Sequence, residues 1–159
     1  RHEVVGWGRP LRTDAYAADG RWFGETPAIL ATLEGAAAER AIPRIREAIE
    51  RYPWGGAGSY AIWPGPNSNT FIAHVVRAVP ELAPGLLPTA VGKDYSGTAF
   101  AGWTPSGTGV QLSLAGLLGV SVGWIEGIEV NLLGLVAGID IARPALKLPG
   151  WGRIGLTAR

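Results

Sequence analysis

Apolar and polar residues alternate strictly through the last third of the chain. Val110-Gln111-Leu112-Ser113-Leu114 and Val120-Ser121-Val122 do so, and the pattern returns in Ile128-Glu129-Val130-Asn131-Leu132 and Ile139-Asp140-Ile141. Side chains of a strand point alternately to its two faces, so a period of two marks β-structure. The segment Val110-Gln111-Leu112-Ser113-Leu114-Ala115-Gly116 aligns with Ile128-Glu129-Val130-Asn131-Leu132-Leu133-Gly134 at a period of 18 residues. Two hairpins in series are predicted, forming a glycine-rich four-stranded β-meander with one face buried. One period repeated twice is too little for a solenoid. The stretch Arg143-Pro144-Ala145-Leu146-Lys147-Leu148-Pro149-Gly150 reads as a closing extended segment or edge strand.

The pattern changes upstream. In residues 36–52, Ile42, Ile45, Ile49 and Tyr52 are spaced three, four and three apart, which places them on one face of a helix. Pro43 lies inside this pattern and either kinks the helix or starts a second one, because it lacks an amide donor. A second helix is predicted from Ser68 or Asn69 to about Ala78, with Phe71 and Val75 on one face and Pro80 as its stop. The opening Arg1-His2-Glu3-Val4-Val5-Gly6-Trp7 reads as a strand already under way. Asp19-Gly20 is a turn signal leading into a short strand at Arg21-Trp22-Phe23. The class is therefore α+β, in one domain of 159 residues.

Tyr95 to Ile125 contains no charge, which raises the rival reading of a membrane segment. Its glycines, Pro105, Gln111, Ser113 and the period of two favour a sheet over a spanning helix. Acids and bases nearly balance at a net charge of +1, without a basic block to meet a phosphate backbone. Nucleic acid is a poor candidate partner. Cysteine is absent and His2 and His74 are the whole supply of imidazoles, which excludes thiolate chemistry and a histidine-rich metal site. No cofactor is expected. The chain opens without a signal peptide or initiator, so a fragment lacking its amino-terminal part is expected.

Candidate chemistry centres on Trp63-Pro64-Gly65-Pro66-Asn67-Ser68-Asn69-Thr70-Phe71, a proline-rich turn that runs into a helix. A helix start offers unpaired N–H groups and partial positive charge, which stabilise an anionic nucleophile or oxyanion. Ser68 is the candidate nucleophile, with Trp63, Asn67 and Asn69 supporting it. Asn and Ser are equally the favoured capping residues, and plain capping explains the same string. His74 reads as a surface or packed histidine, and His2 as a solvent-exposed one. Pro105-Ser106-Gly107-Thr108-Gly109 lacks the lysine of a phosphate-binding loop. Lys93-Asp94-Tyr95 reads as a solvated turn, and the tryptophans as core filling.

Several of these strings resemble one family. Val4-Val5-Gly6-Trp7-Gly8, the helix around Ile42-Pro43-Arg44-Ile45, the Trp63 to Phe71 string, Pro105-Ser106-Gly107-Thr108-Gly109 and Pro144-Ala145-Leu146-Lys147-Leu148-Pro149-Gly150 resemble the bacterial family known as domain of unknown function number 3750. The resemblance implies a longer parent in the cell envelope, with an amino-terminal hydrophobic anchor and an upstream strand carrying a histidine. Asn67-Ser68-Asn69-Thr70-Phe71 is also similar to the Asn-Cys-Asn-x-Phe helix start of circularly permuted papain-like thiol hydrolases. That likeness implies a papain-like helix-plus-antiparallel-sheet arrangement, with Ser68 at the nucleophile position in place of cysteine. A serine hydroxyl needs a well-placed base.

Three functions follow. The first is a non-catalytic or degenerate papain-like module of the envelope. The second is a serine-dependent hydrolase or acyltransferase acting on an amide or ester through Ser68. The third is an envelope structural or interaction protein built on the repeated hairpins.

Overall fold

The computed structural model describes residues 2–17, 19–21, 23–82 and 85–155. Strands β1 (His2–Val4) and β2 (Leu11–Thr13) form a small antiparallel hairpin, with Glu3 opposite Arg12. Helix α1 (Gly35–Glu50) and helix α2 (Ser68–Ala78) follow, then a 3-10 turn at Pro80–Leu82. The remainder is one antiparallel meander of seven strands in sequence order. These are β3 (Ala99–Trp103), β4 (Gly109–Leu114), β5 (Leu118–Gly123), β6 (Gly127–Leu132), β7 (Leu135–Asp140), β8 (Ala145–Leu148) and β9 (Gly152–Gly155).

The α+β class stands, and so do both helices. Pro43 does not divide α1, which runs from Gly35 to Glu50 as one helix; it sits on the exposed side, as Glu39 one turn earlier does. The stripe predicted for α1 is shifted. Ile49 and Tyr52 are buried, but Ile42 is exposed, and Ala41 and Ala48 make the close contact instead. Among the described residues the strand expected at 21–23 does not form: Phe23 lies in a turn with a left-handed backbone, φ +51°, and faces solvent. Arg1, Trp22 and Pro84 lie outside the described residues.

The apolar core is small and sits between α1, α2 and β1. Val4, Ala48, Ile49, Tyr52, Phe71 and Val75 form it, with Leu11, Ile45, Trp54 and Tyr60 packed at its margin. Tyr52 meets Phe71 edge-on at 5.1 Å between ring centroids. From α1, Arg44 reaches across to α2 and donates to the Ala78 carbonyl at 2.5 Å, closing one of the carbonyls that a helix end leaves unpaired.

The meander departs from expectation in two ways. It has seven strands, because β3 precedes the four predicted strands (β4 to β7) and β8 and β9 follow them, so that 145–148 is an inner strand and not an edge. Its sidedness is also reversed. Gln111, Ser113, Ser121, Glu129, Asn131, Asp140 and Lys147 are buried, while Leu112, Val120, Val130 and Leu146 on the opposite side are exposed. The tryptophans follow suit: Trp7, Trp63, Trp103, Trp124 and Trp151 are all more than half exposed and fill no core.

Candidate functional site

Asn67 fixes the start of α2. Its side-chain oxygen accepts from the N–H groups of Asn69 at 2.9 Å and Thr70 at 3.2 Å, and the Thr70 hydroxyl accepts in return from the Asn67 N–H at 3.1 Å. This reciprocal arrangement satisfies three backbone donors that a helix start leaves open. The Asn67 amide also donates to the carbonyls of Ile62 (2.9 Å) and Val91 (3.0 Å), the Asn69 amide to Val91 (2.8 Å), and the Thr70 hydroxyl to Gly92 (2.7 Å). Three residues of the string thus tie the helix to the loop at 91–92. Gly92 has to be glycine: its φ is +92°, and a Cβ would stand 2.5 Å from the Asn67 amide.

The cap is Asn67, so Ser68 is left as the first helical residue, on the surface. No hydrogen bond of its hydroxyl is made with the described residues, and its N–H, the first of the helix, has no intrahelical acceptor. Ser68 opens instead onto a groove of about 1140 Å³, whose walls include His2, Val5, Tyr60, Trp63 and Ile72. Strand β1 adds Glu3 and Val4 to its lining. Trp7 and Tyr16 stand edge-on at 6.3 Å on the same groove. Glu3 is clamped there, accepting from the N–H groups of Ala15 at 2.6 Å and Tyr16 at 3.2 Å.

His2 shares the groove, and its Nδ1 lies 3.1 Å from the Thr13 hydroxyl across the hairpin. His74 does not share it. Its Nε2 donates to the Ala48 carbonyl at 2.8 Å and its ring meets Tyr52 edge-on, a packing role. Ser106 is occupied too: its N–H donates to Glu126 at 3.1 Å and its hydroxyl at 2.7 Å, pinning one turn of the meander to the next. Trp63 donates its indole N–H to the Leu133 carbonyl at 2.8 Å, which joins the groove to the turn between β6 and β7. Among the described residues no group of three or more histidines, aspartates or glutamates is arranged to hold a metal ion.

A family described as "Protein of unknown function (DUF3750)" has a model that matches residues 1–95. The chain belongs to this family. The DUF3750 match takes in β1, both helices, the groove and the loop through Tyr95, and stops short of the meander, so Pro105 to Gly109 and Pro144 to Gly150 lie beyond it. No curated protein and no solved structure matches.

The last residues of the DUF3750 match are not the solvated turn expected of them. Lys93 and Asp94 are buried against the polar side of the meander. Lys93 and Lys147 both pair with Glu129, at 2.5 and 2.6 Å, and Lys147 donates as well to the Glu126 carbonyl. The Asp94 carboxylate accepts from Gln111 at 2.5 Å and Asn131 at 3.0 Å, and Gln111 accepts in turn from Arg77 of α2. Burial pushes the Asp94 carboxyl up from its ordinary value, against the pull of Lys93. Burial likewise lowers Arg77, which Asp94 and Glu126 partly offset. The spacing carries the signal that finds this cluster: Gln111, Glu129 and Lys147 are 18 residues apart, one period of the repeat, on alternate strands β4, β6 and β8.

Proposed function

We propose that this chain is a non-catalytic, papain-like binding module of the cell envelope, whose groove at the start of α2 holds an apolar or acylated chain. The carrying observation is the groove itself: about 1140 Å³, walled by Val5, Trp7, Tyr60, Ile62 and Ile72, with the uncommitted Ser68 hydroxyl as a polar contact at one point. Ligand sites are typically apolar walls with a few placed polar groups. What supports papain-like kinship is that α2 opens at Ser68 against β1, the arrangement its Asn-Ser-Asn-Thr-Phe string implies. What speaks for loss of catalysis is the imidazole: His2 is held by Thr13 at the hairpin, and a serine is a weak nucleophile without an oriented base.

Titration with dodecanoate tests the reading, because Trp7 and Trp63 report from the groove wall. Saturable quenching or a spectral shift is expected, abolished by Ile72→Arg. A flat titration refutes it.

The shared groove of Ser68 and His2 favours one second reading. A hydrolase would attack an ester or amide carbonyl with the Ser68 oxygen and pass the serine proton through an imidazole to the departing alcohol or amine as its bond to the carbonyl breaks; water would then release the acyl group from the serine as a carboxylate. Fluorophosphonate labelling that disappears in Ser68→Ala would establish that reading over the first. The expectation here is no Ser68-dependent labelling.

A further inference from the structure

We propose that the outer side of the meander is a lipid-contacting surface that lies on a bilayer. Every outward strand position from Ala99 to Ile154 is alanine, valine, leucine, isoleucine, tryptophan or glycine, and none carries a charge or a hydroxyl. The seven strands are four to six residues long, and at about 4.8 Å between strands and about 3.3 Å per residue they give a face on the order of 600 Å². That stands at the upper end of the largest apolar patch of an ordinary monomer, about 300–600 Å² and often functional.

The reverse side holds charge. Glu129, Lys147, Lys93 and Asp94 are each no more than 6% exposed. In water, apolar-out and polar-in are both the unfavourable placements. Against hydrocarbon they are the favourable ones, and strands that face lipid alternate in this sense. Gln111, Asn131 and Lys147 come from three different strands, yet all converge on Asp94 or Glu129. The convergence holds the strands together from the polar side and leaves the apolar side without a partner in the chain.

The tryptophans decide between a bilayer and a second copy of the chain. Protein interfaces concentrate tryptophan at their centre and keep a polar rim. Here the centre is valine and leucine, and the indoles stand at the strand ends. Trp103 and Trp124 mark one end and Trp151 the other, at 68, 67 and 80% exposure. Tryptophan at the boundary of an apolar band is the signature of a membrane–water interface. Strands of four to six residues are too short to span, since a spanning strand needs about 9–11. The face therefore lies in the plane of the bilayer, its valine and leucine centre toward the acyl chains and its tryptophans at headgroup level.

This inference does not rest on the groove, and its test is separate. No described helix is long and apolar enough to cross a membrane, and paired variants in the sheet and in the groove tell which of the two carries vesicle binding. Flotation with phosphatidylcholine vesicles is expected to carry the chain upward at low and high salt alike, because no outward charge is there to be screened. Lipid brominated on its acyl chains is expected to quench the tryptophan fluorescence. The double variant Leu112→Asp, Val130→Asp, altered at two exposed positions, should lower the vesicle partition at least about tenfold, whereas Ile72→Arg in the groove should leave it unchanged. The unaltered chain's quenching decides the matter if the double variant loses the native circular dichroism. A chain that stays with the soluble fraction, that floats equally well with both aspartates, or that forms a dimer broken by them without binding vesicles, overturns the proposal.

Discussion

Asn67 and Ser68 are neighbours with opposite duties. Asn67 is buried and makes the cap together with two further bonds to the 62 and 91 carbonyls, so Asn67→Ala should lose at least about 1–2 kcal/mol in urea unfolding. Ser68 is exposed and makes none of these contacts, so Ser68→Ala should stay within about 0.5 kcal/mol of the parent. A larger loss would mean that the hydroxyl, and not Asn67, carries the helix start. Gly92→Ala should be worse than either: a left-handed backbone and a Cβ overlapping the Asn67 amide act at one site, and about 2 kcal/mol or more is expected. The same melting series measures it. These three substitutions separate what the string does for the fold from what Ser68 is free to do in the groove.

At the scale of the element, β7 and β9 are joined by backbone through β8 between them and by charge across it. Asp140 at the end of β7 accepts from Arg153 of β9 at 3.0 Å and from the Arg143 N–H at 3.1 Å. Burial alone would raise the Asp140 carboxyl, but these two bonds, with Lys147 nearby, outweigh it and hold it below its ordinary value of 3.8. The folded chain therefore binds this proton less readily than the unfolded one. The resulting stability is present above the ordinary carboxyl value and is lost as pH falls through the lowered one. Arg153→Gln should reduce stability near neutrality and flatten the acid limb of a pH–melting profile below about pH 4. An unchanged limb would show the pair to be idle.

Element positions were legible in the sequence because each repeats a simple period. Ile45, Ile49 and Tyr52 announce α1, Phe71 and Val75 announce α2, and the alternation in 110–141 announces four strands. Sidedness was not legible. Period two says that one set of side chains faces in, and the assumption that the inner set is apolar comes from water as the solvent. Gln111, Glu129 and Lys147 break that assumption together, and a single such residue would not have. Lys93 and Asp94 were missed for a related reason: a charged pair after glycine normally marks solvent, and the Glu129 carboxylate and the Asn131 amide that meet them lie some 36 residues further on. At the candidate site, Ser68 and its helix start were visible from the Pro-Asn turn. Tyr16 and Tyr60 joined the groove only through the packing of the hairpin.

On the scale of the whole molecule, two cores of opposite polarity lie side by side. The apolar one is built between α1, α2 and β1, and the polar one between the meander and the 93–94 segment. Glu129 is the hub of the second, flanked by two ammonium groups. Removing one member of a buried ion pair leaves an uncompensated charge, so Glu129→Ala should cost about 3–5 kcal/mol in denaturant unfolding. A loss below 1 kcal/mol would mean that Lys93 and Lys147 find water, and that the network is looser than its distances imply.

The family match ends at Tyr95, and the pair just before it, Lys93 and Asp94, plugs into the meander that follows. A scissile boundary at that point would leave each half holding an orphaned counterion. The helical half would present a bare cation and anion on a stub, and the strands would enclose Glu129 with one of its two partners gone. The two halves are thus interlocked like a key left in its lock, and neither can be exchanged for a homologous piece unless the donor supplies a matching pair.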